Sequence, residues 1–381
     1  MKAFVYISKS LLLFITVLQI KVKESKIMKF FLFGAGRSTL DIMNRVKKFP
    51  ENMELLGILD DDSSKWGGFI VSPQILQNIK FDKIIIPSDM YFNMIKDNLM
   101  YWHHIEEEKI ENKLYLLKIL MTEKYKNSED TEIQDILKYW QQNPLSVFNQ
   151  YVIPRKEIHT VHWDCIENMP YIVLEDKRMY FPYNHRFHMV DGKKVVIDIL
   201  GEQQPTSPHL YIQDDIKVEQ GDVVADAGVC EGNFALRYIE KISKLYLFES
   251  DRRWIKPLQK TFEKFSDKVV LCNKFLGANE QAASTTLDAV IDERLDFLKM
   301  DIEGAEEAAL LGGKNTLCNN HVKCSICSYH KPEAEMQIKD ILQSYGYQTN
   351  TSKGYMVFLW DENIYSTLDF RRGIVYARNY S

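Results

Sequence analysis

The chain has no apolar run long enough to cross a bilayer, which takes about 20 residues. Its longest candidate, LLLFITVLQI at 11–20, follows Lys9 and gives way to KVKESK, with no small-x-small cleavage site behind it. The simplest account starts the folded chain at Met28, where MKFFLFGAG opens directly on a strand. A membrane-surface helix and a degenerate signal are the alternatives for 1–27, so no firm membrane anchor is expected. An excess of basic residues is also missing: 48 Lys and Arg stand against 53 Asp and Glu, a net charge of −5. With no basic stripe either, nucleic acid is not an expected partner. Cysteine is scarce and its spacing unpaired, six in 381 residues, which excludes a disulfide framework and suits a reducing cytoplasm. Peripheral attachment at the inner membrane is the variant that a surface helix would allow. No internal repeat is evident, and no complete G-x-G-x-x-G occurs.

What is present is ordinary for a globular protein, 45% hydrophobic and 27% charged, with room for two domains and a connector. KFFLFGAGRSTLDIMNRV at 29–46 reads strand, glycine turn, helix. LLGILDDD at 55–62 is a second strand ending in acids, and KIIIP at 83–87 a third. This alternation predicts a small Rossmann-like α/β domain over 28–125. Gly34 and Gly36 fit two positions of a dinucleotide motif, Thr39 stands at the third, and Asp60, Asp61 and Asp62 fall where a ribose-binding acid would. Either this turn binds a nucleotide or nucleotide sugar, or it is a tight turn that binds nothing. Residues 100–160 read as mainly helical, with the EEEK run a solvated helix face. The aromatic stretch 160–215 reads as short strands and turns, so 126–204 is a helical and mixed connector and substrate-side cap.

The chemistry concentrates further on. VVADAGVCEGNFAL at 223–236 is an apolar strand into Asp226, a turn with Gly228 and Gly232, and a helix start. LYLFESD at 245–251 is a strand ending on Glu249, which can accept two ribose hydroxyls. The pattern is D-x-G-x-x-x-G, without a helix N-terminus packed on a pyrophosphate, and so points to S-adenosylmethionine (SAM), a cofactor without phosphate. Glycines there would let backbone approach the ligand. Asp226, Gly228, Glu231, Gly232, Asn233, Glu249, Ser250 and Trp254 are the candidate cofactor residues, Trp254 either covering the adenine or filling the core. Downstream, LDFLKMDIEGAEEAALLGG at 295–313 is a buried strand ending on Asp301 and Glu303. VKCSICSY at 322–329 is another, ending before His330. A last pair, YMVFLW and GIVYAR, closes a doubly wound sheet with antiparallel strands at its end. Asp226, Glu249, Asp301 and His330 all lie at strand ends, where such sheets gather ligand groups.

GDVVADAGVCEGNFAL, LYLFESD, TTLDAVI, FLKMDIEGAE and SYHKPE, in that order, resemble the FkbM family of SAM-dependent methyltransferases. The resemblance covers about 150 residues, with KMDIEGAE its most specific run, and gives 205–381 as the methyltransferase domain. FGAGRSTLD and LGILDDDSSKWG resemble the small Rossmann-like domain that precedes some members and occurs in sugar acyltransferases. The implied activity is methyl transfer to a hydroxyl oxygen of a sugar, glycan or related metabolite, as in polysaccharide biosynthesis. Cys230 departs from the small or polar residues usual in the glycine loop.

In that reading Asp301 orients the acceptor hydroxyl or takes its proton, and His330 is the other candidate base. Glu303 would cap the next helix, and His209 or Tyr211, in EQQPTSPHLY at 202–211, would close over the methionine end. Cys318, His321, Cys324, Cys327 and His330 recur like zinc ligands, but on a strand Cys324 and Cys327 face opposite ways, so no metal is expected from them. Two other classes stay open: a methyltransferase fold that only binds a partner, and a nucleotide-sugar enzyme using NAD through the N-terminal domain. Oligomeric state is unreadable.

Overall fold

A computed structural model describes residues 27–154 and 157–380. The leader or extended start assigned to 1–27 therefore lies outside the described residues, save Ile27. The chain gathers into two compact units. One takes the residues up to Lys126 and also Tyr365–Leu368; the other takes Asn127–Ile364 and the residues from Asp369 onward.

The first unit is built from β1 (Met28–Phe33), α1 (Arg37–Arg45), β2 (Met53–Leu59), β3 (Ile70–Val71), β4 (Lys83–Ile86), α2 (Phe92–His103), β5 (Ile110–Asn112) and α3 (Lys113–Tyr125). Its strands pair in the order β3-β2-β1-β4-β5, all parallel. Phe31, Phe33, Leu59, Ile84, Ile86 and Leu99 pack its core. The acid-rich run at 106–109, expected on a helix face, instead makes a short 3-10 turn leading into β5. Ile110 must be buried to pair with Ile84, and a helix continuing through the run would turn it away. The returning segment is tied in by Tyr365, whose hydroxyl donates to the Lys113 carbonyl at 2.7 Å.

In the second unit the stretch expected as connector and cap folds as α4 (Thr131–Trp140) and six short strands. Asp130 caps α4, accepting from the Glu132 and Ile133 amides. β6 (Ile158–Thr160), β7 (His162–Asp164), β8 (Met169–Leu174), β9 (Lys177–Tyr180), β10 (His188–Val190) and β11 (Lys193–Ile197) pair as two antiparallel sheets, β7-β8-β9 and β10-β11-β6.

The large sheet follows: β12 (Val223–Ala227), α5 (Asn233–Tyr238), β13 (Lys244–Phe248), α6 (Arg252–Thr261), β14 (Val269–Cys272), β15 (Phe275–Leu276), β16 (Ser284–Thr285), α7 (Leu287–Val290), β17 (Phe297–Met300), α8 (Glu306–Leu311), α9 (Lys314–Asn319), β18 (Lys323–Cys327), α10 (Ala334–Ser344), β19 (Gln348–Thr351) and β20 (Ile374–Arg378). Seven of these strands pair in the order β14-β13-β12-β17-β18-β20-β19. They run parallel except β20, which is antiparallel to β18 and β19. The chain winds outward from β12 to β14 and then returns to the other side of β12. A crevice opens where the winding reverses, beyond the carboxyl ends of β12 and β17.

Alternation along β12 and β17 divides the core between the faces: Val224 and Phe297 pack on one, Val223, Ala225 and Leu298 on the other. The antiparallel end of the sheet is as expected, with one correction. YMVFLW is not a strand; the partner of GIVYAR is QTNT at 348–351. Only Met356 of the aromatic run bridges, to Arg371, while Met356, Phe358 and Trp360 line a cavity. Aromatic side chains are used there as wall.

Candidate active site

At the winding reversal lies a cavity of about 530 Å³. Its wall includes Gly228, Glu231, Asn233, Glu249, Ser250, Trp254 and Asp301, all drawn together from the predicted set. Asp226 and Gly232 do not line it, and neither does His330.

Asp226 is 1% exposed and stands opposite Lys299 in the β12–β17 register. The Lys299 ammonium lies 3.0 Å from its Oδ1 and donates to the Gly228 carbonyl at 2.7 Å. Asp226 therefore serves the buried ion pair beneath the cavity; it was expected to hold cofactor. Burial opposes the Lys299 charge, but Asp226 and Asp301 outweigh it and push its pKa up.

The two glycines also make room for protein. Gly228 has φ +77°, and a Cβ there would lie 1.7 Å from the Asp301 carbonyl oxygen. The close approach is between two pieces of backbone that bring the ends of β12 and β17 together. Gly232, at φ +83°, would set a Cβ 3.1 Å from Leu258 and Phe262, so it lets α5 pack on α6.

Glu249 is held by the loop. Its Oε2 accepts from the Cys230 amide at 2.9 Å and its Oε1 from the Asp251 amide at 2.7 Å. Asp251 in turn caps α6 through the Arg253 amide at 2.9 Å. Each Glu249 oxygen keeps a lone pair for a further donor. Trp254, on α6, packs beside Phe181 and His185 with ring centroids 6.0 and 5.7 Å away, so it is core and cavity wall at once. Burial pushes the Glu231 carboxyl up.

Asp301, directly after β17, is the hub. Tyr211 donates to its Oδ2 at 2.8 Å and Tyr329 to its Oδ1 at 3.1 Å. His209 Nε2 stands 3.5 Å from Oδ2 and His330 Nε2 3.4 Å from Oδ1. Burial works against the Asp301 charge, but His209, Lys299 and His330 outweigh it and hold the carboxyl well below the usual carboxylate range. His209, fully enclosed, has Glu202 at 3.4 Å from Nδ1. Burial disfavours its charge, and Asp301 and Glu202 override that, raising its pKa to about 9. His209 and Tyr211 thus support Asp301; of the two expected candidates for closing over the methionine end, Tyr211 lines the larger cavity and His209 does not.

Glu303 does not cap α8, which has no side-chain cap; the turn before the helix is held instead by Glu306, from the first turn of α8. Glu306 Oε1 accepts from the Ile302 amide at 3.0 Å and the Gly304 amide at 3.3 Å, and lies 3.0 Å from His330 Nδ1. Glu303, at φ +56°, sends an 89% exposed side chain outward. A second cavity, of about 340 Å³, adjoins the first and shares Glu202 and Glu303 with it. Phe148, Tyr329, Phe358 and Trp360 give it an aromatic wall. Cys324 and Cys327 fall in the cores on opposite faces of the sheet, as their spacing on β18 requires.

Sequence reasoning missed Lys299, Tyr329, Glu306 and Glu202. Lys299 had a signal: a lysine inside the buried run FLKM needs a buried acid, and VVADA on the neighbouring strand offers Asp226. Tyr329 and Glu202 carried none.

In the first unit the glycine turn is closed by its own chain. Asp60 Oδ2 accepts from the Ala35 amide at 2.6 Å and its Oδ1 from the Asp62 amide at 2.9 Å. Lys65 pairs with Oδ2 at 3.2 Å, and the Thr39 hydroxyl donates to the Gly34 carbonyl. The acid placed for a ribose is engaged in holding the turn.

Comparison with known proteins bears on the family of the second unit. The family model described as the methyltransferase FkbM domain matches residues 183–349, and that described as C2185-like, N-terminal, matches 26–111. No curated protein sequence matches the chain. Among solved structures, it is similar to the methyltransferase FkbM from Methylobacillus flagellatus KT at 15% identity and TM-score 0.42, covering 97% of this chain and 98% of that one. The fibrillarin pre-rRNA processing protein of Methanococcus jannaschii aligns at 10% identity and TM-score 0.32, over 59% of this chain and 98% of that one. SMU.1697c from Streptococcus mutans, solved with S-adenosylhomocysteine (SAH), aligns at 14% and TM-score 0.29, over 42% and 90%. The stretch 183–349, which holds most of the doubly wound sheet, is thus the part of this chain that matches the methyltransferase FkbM domain.

Proposed function

We propose that this protein is a SAM-dependent O-methyltransferase acting on a hydroxyl of a sugar-sized acceptor, free or within a glycan. The observation that carries the cofactor assignment is the charge of the larger cavity. Six acidic side chains and only two lysines line it, and one of the lysines, Lys299, is spent on Asp226. Such a wall repels a pyrophosphate and suits a sulfonium cation. Glu249, with a lone pair left on each oxygen, would hold the ribose hydroxyls. Trp254, Phe248 and Phe275 supply apolar wall for an adenine. When bound, SAM supplies an electrophilic methyl, which moves to the acceptor oxygen as the sulfur–carbon bond breaks, leaving SAH.

Asp301 and His330 serve the acceptor side. A carboxylate clamped by two tyrosines stays ionised, so it orients a hydroxyl well and takes a proton poorly. The aromatic second cavity can stack on the faces of a sugar ring, with Glu202 and Glu303 at its edges for hydroxyls. Calorimetric titration of SAM into the full chain tests the reading. Micromolar binding is expected, weakened about 10- to 100-fold in Glu249→Ala, as the loss of charge-assisted hydrogen bonds of roughly 1.5–3 kcal/mol implies. Absence of SAM and SAH binding by the folded wild-type protein would overturn it.

A further inference from the structure

The charge where the two cavities meet bears on what the acceptor carries besides its hydroxyl. Four carboxylates, of Glu202, Asp301, Glu303 and Glu306, face the nitrogens of only two imidazoles, His209 and His330, at 3.0 to 3.5 Å. With both rings charged, two negative charges are still unbalanced. Glu306 is turned to two backbone amides and Asp301 to two tyrosines, which leaves the surplus on Glu202 and Glu303. These two line both cavities. Among the described residues neither has an ion partner besides its imidazole. The cations near by are taken up elsewhere: Lys299 by Asp226 at 3.0 Å, Lys331 by the Gly304 carbonyl at 2.6 Å, and Arg371 by Asp369 at 2.8 Å and by Asp361. Bound SAM would bring one net positive charge, to a cavity that holds Glu231, Glu249 and Asp251 as well.

We propose that the second cavity, with Glu202 and Glu303, is a subsite for a protonated amine on the acceptor, which is then an amino sugar, free or within a glycan. The assignment rests on the methyl-transfer reading. Carboxylates and aromatic faces together are the chemistry that binds an ammonium group. Here Tyr329 and Phe358 have ring centroids 5.1 Å apart, and Phe358 and Trp360 5.6 Å. Trp360 is 72% exposed and so open to a ligand. His209 gives a second, independent sign. Its side chain is only 3% exposed, it lines this cavity, and its Nδ1 has no hydrogen-bond partner. A buried, unpaired polar atom at a cavity wall points to a ligand group, and a charged imidazole offers a donor to a sugar oxygen. At about 340 Å³ the cavity is at the small end of ligand pockets. A uronate or a sugar phosphate would be repelled by the same two carboxylates.

Tryptophan fluorescence of the full chain at low ionic strength, titrated with glucosamine, glucose and glucuronate with and without SAH, tests the subsite. Glucosamine, with its amine protonated, should bind about 10-fold more tightly than glucose, and glucuronate more weakly than either. The preference should fall about 2- to 5-fold in Glu303→Gln, as for an exposed ion pair, fall further in Glu202→Gln, and stay unchanged in Glu51→Gln, an exposed acid of the first unit. Glu303→Gln alters an exposed side chain, so it keeps the test valid where Glu202→Gln, beside His209, disturbs folding. Equal binding of glucosamine and glucose, binding of neither, or a preference that survives both substitutions overturns the subsite, and leaves the cofactor reading standing when SAH still binds. A glucosamine preference in folded protein that binds no SAH would keep the subsite and remove the methyltransferase reading.

Discussion

Single residues here do work that their type announces and their position redirects. Gly228 and Gly232 stand out in the sequence as glycines beside a ligand, and each also makes room for protein. The difference is measurable. Gly228→Ala sets a methyl against backbone that cannot move without parting β12 from β17. Its cost should exceed the 1–2 kcal/mol of an alanine in left-handed backbone and reach about 4 kcal/mol or more in urea unfolding. Gly232→Ala meets only the ends of Leu258 and Phe262, which can shift, and should cost about half as much. Equal losses would refute the close-approach argument. The same redirection applies to Glu306 and Glu303: in DIEGAE both are acids at a helix start, and only the backbone turn at Glu303 decides which one holds the turn before α8. Composition carries no trace of that turn.

At the scale of elements, alternation and strand ends were legible because they follow from burial. Apolar runs in VVADA, LYLF, FLKM and KCSIC became β12, β13, β17 and β18. What could not be read was contact across strands, since register is set by the assembled sheet. Asp226 looks like a cofactor ligand until Lys299 is known to lie opposite it. Lys299→Met should therefore cost about 3–5 kcal/mol by stranding a buried carboxylate. Adding Asp226→Leu should restore much of that loss, giving strong coupling in a double-mutant cycle. Additive losses would mean the two charges act apart. YMVFLW failed as a strand for a related reason: aromatic residues satisfy strand propensity and cavity walls equally.

On the scale of the whole molecule, the site's charge network should register in overall stability. His209 has a folded pKa of about 9 against an ordinary 6.5. A raised folded value stabilises most fully below the unfolded pKa, so the contribution is complete below about pH 6.5 and lost as pH rises through about 9. Wild-type stability should decline across that window relative to His209→Gln, by at most about 3 kcal/mol, as followed by urea unfolding at fixed ionic strength. Parallel curves would show that His209 carries no charge in the folded protein. The unit that spans residues up to Lys126 also takes in Tyr365–Leu368, with Tyr365 bonded to the Lys113 carbonyl. That borrowed segment has an evolutionary consequence: the N-terminal unit cannot be traded between chains as a cassette cut at one place. A recombination at residue 126 would deliver a unit lacking one of its own tethers, so inheritance of the two ends of this chain should be coupled.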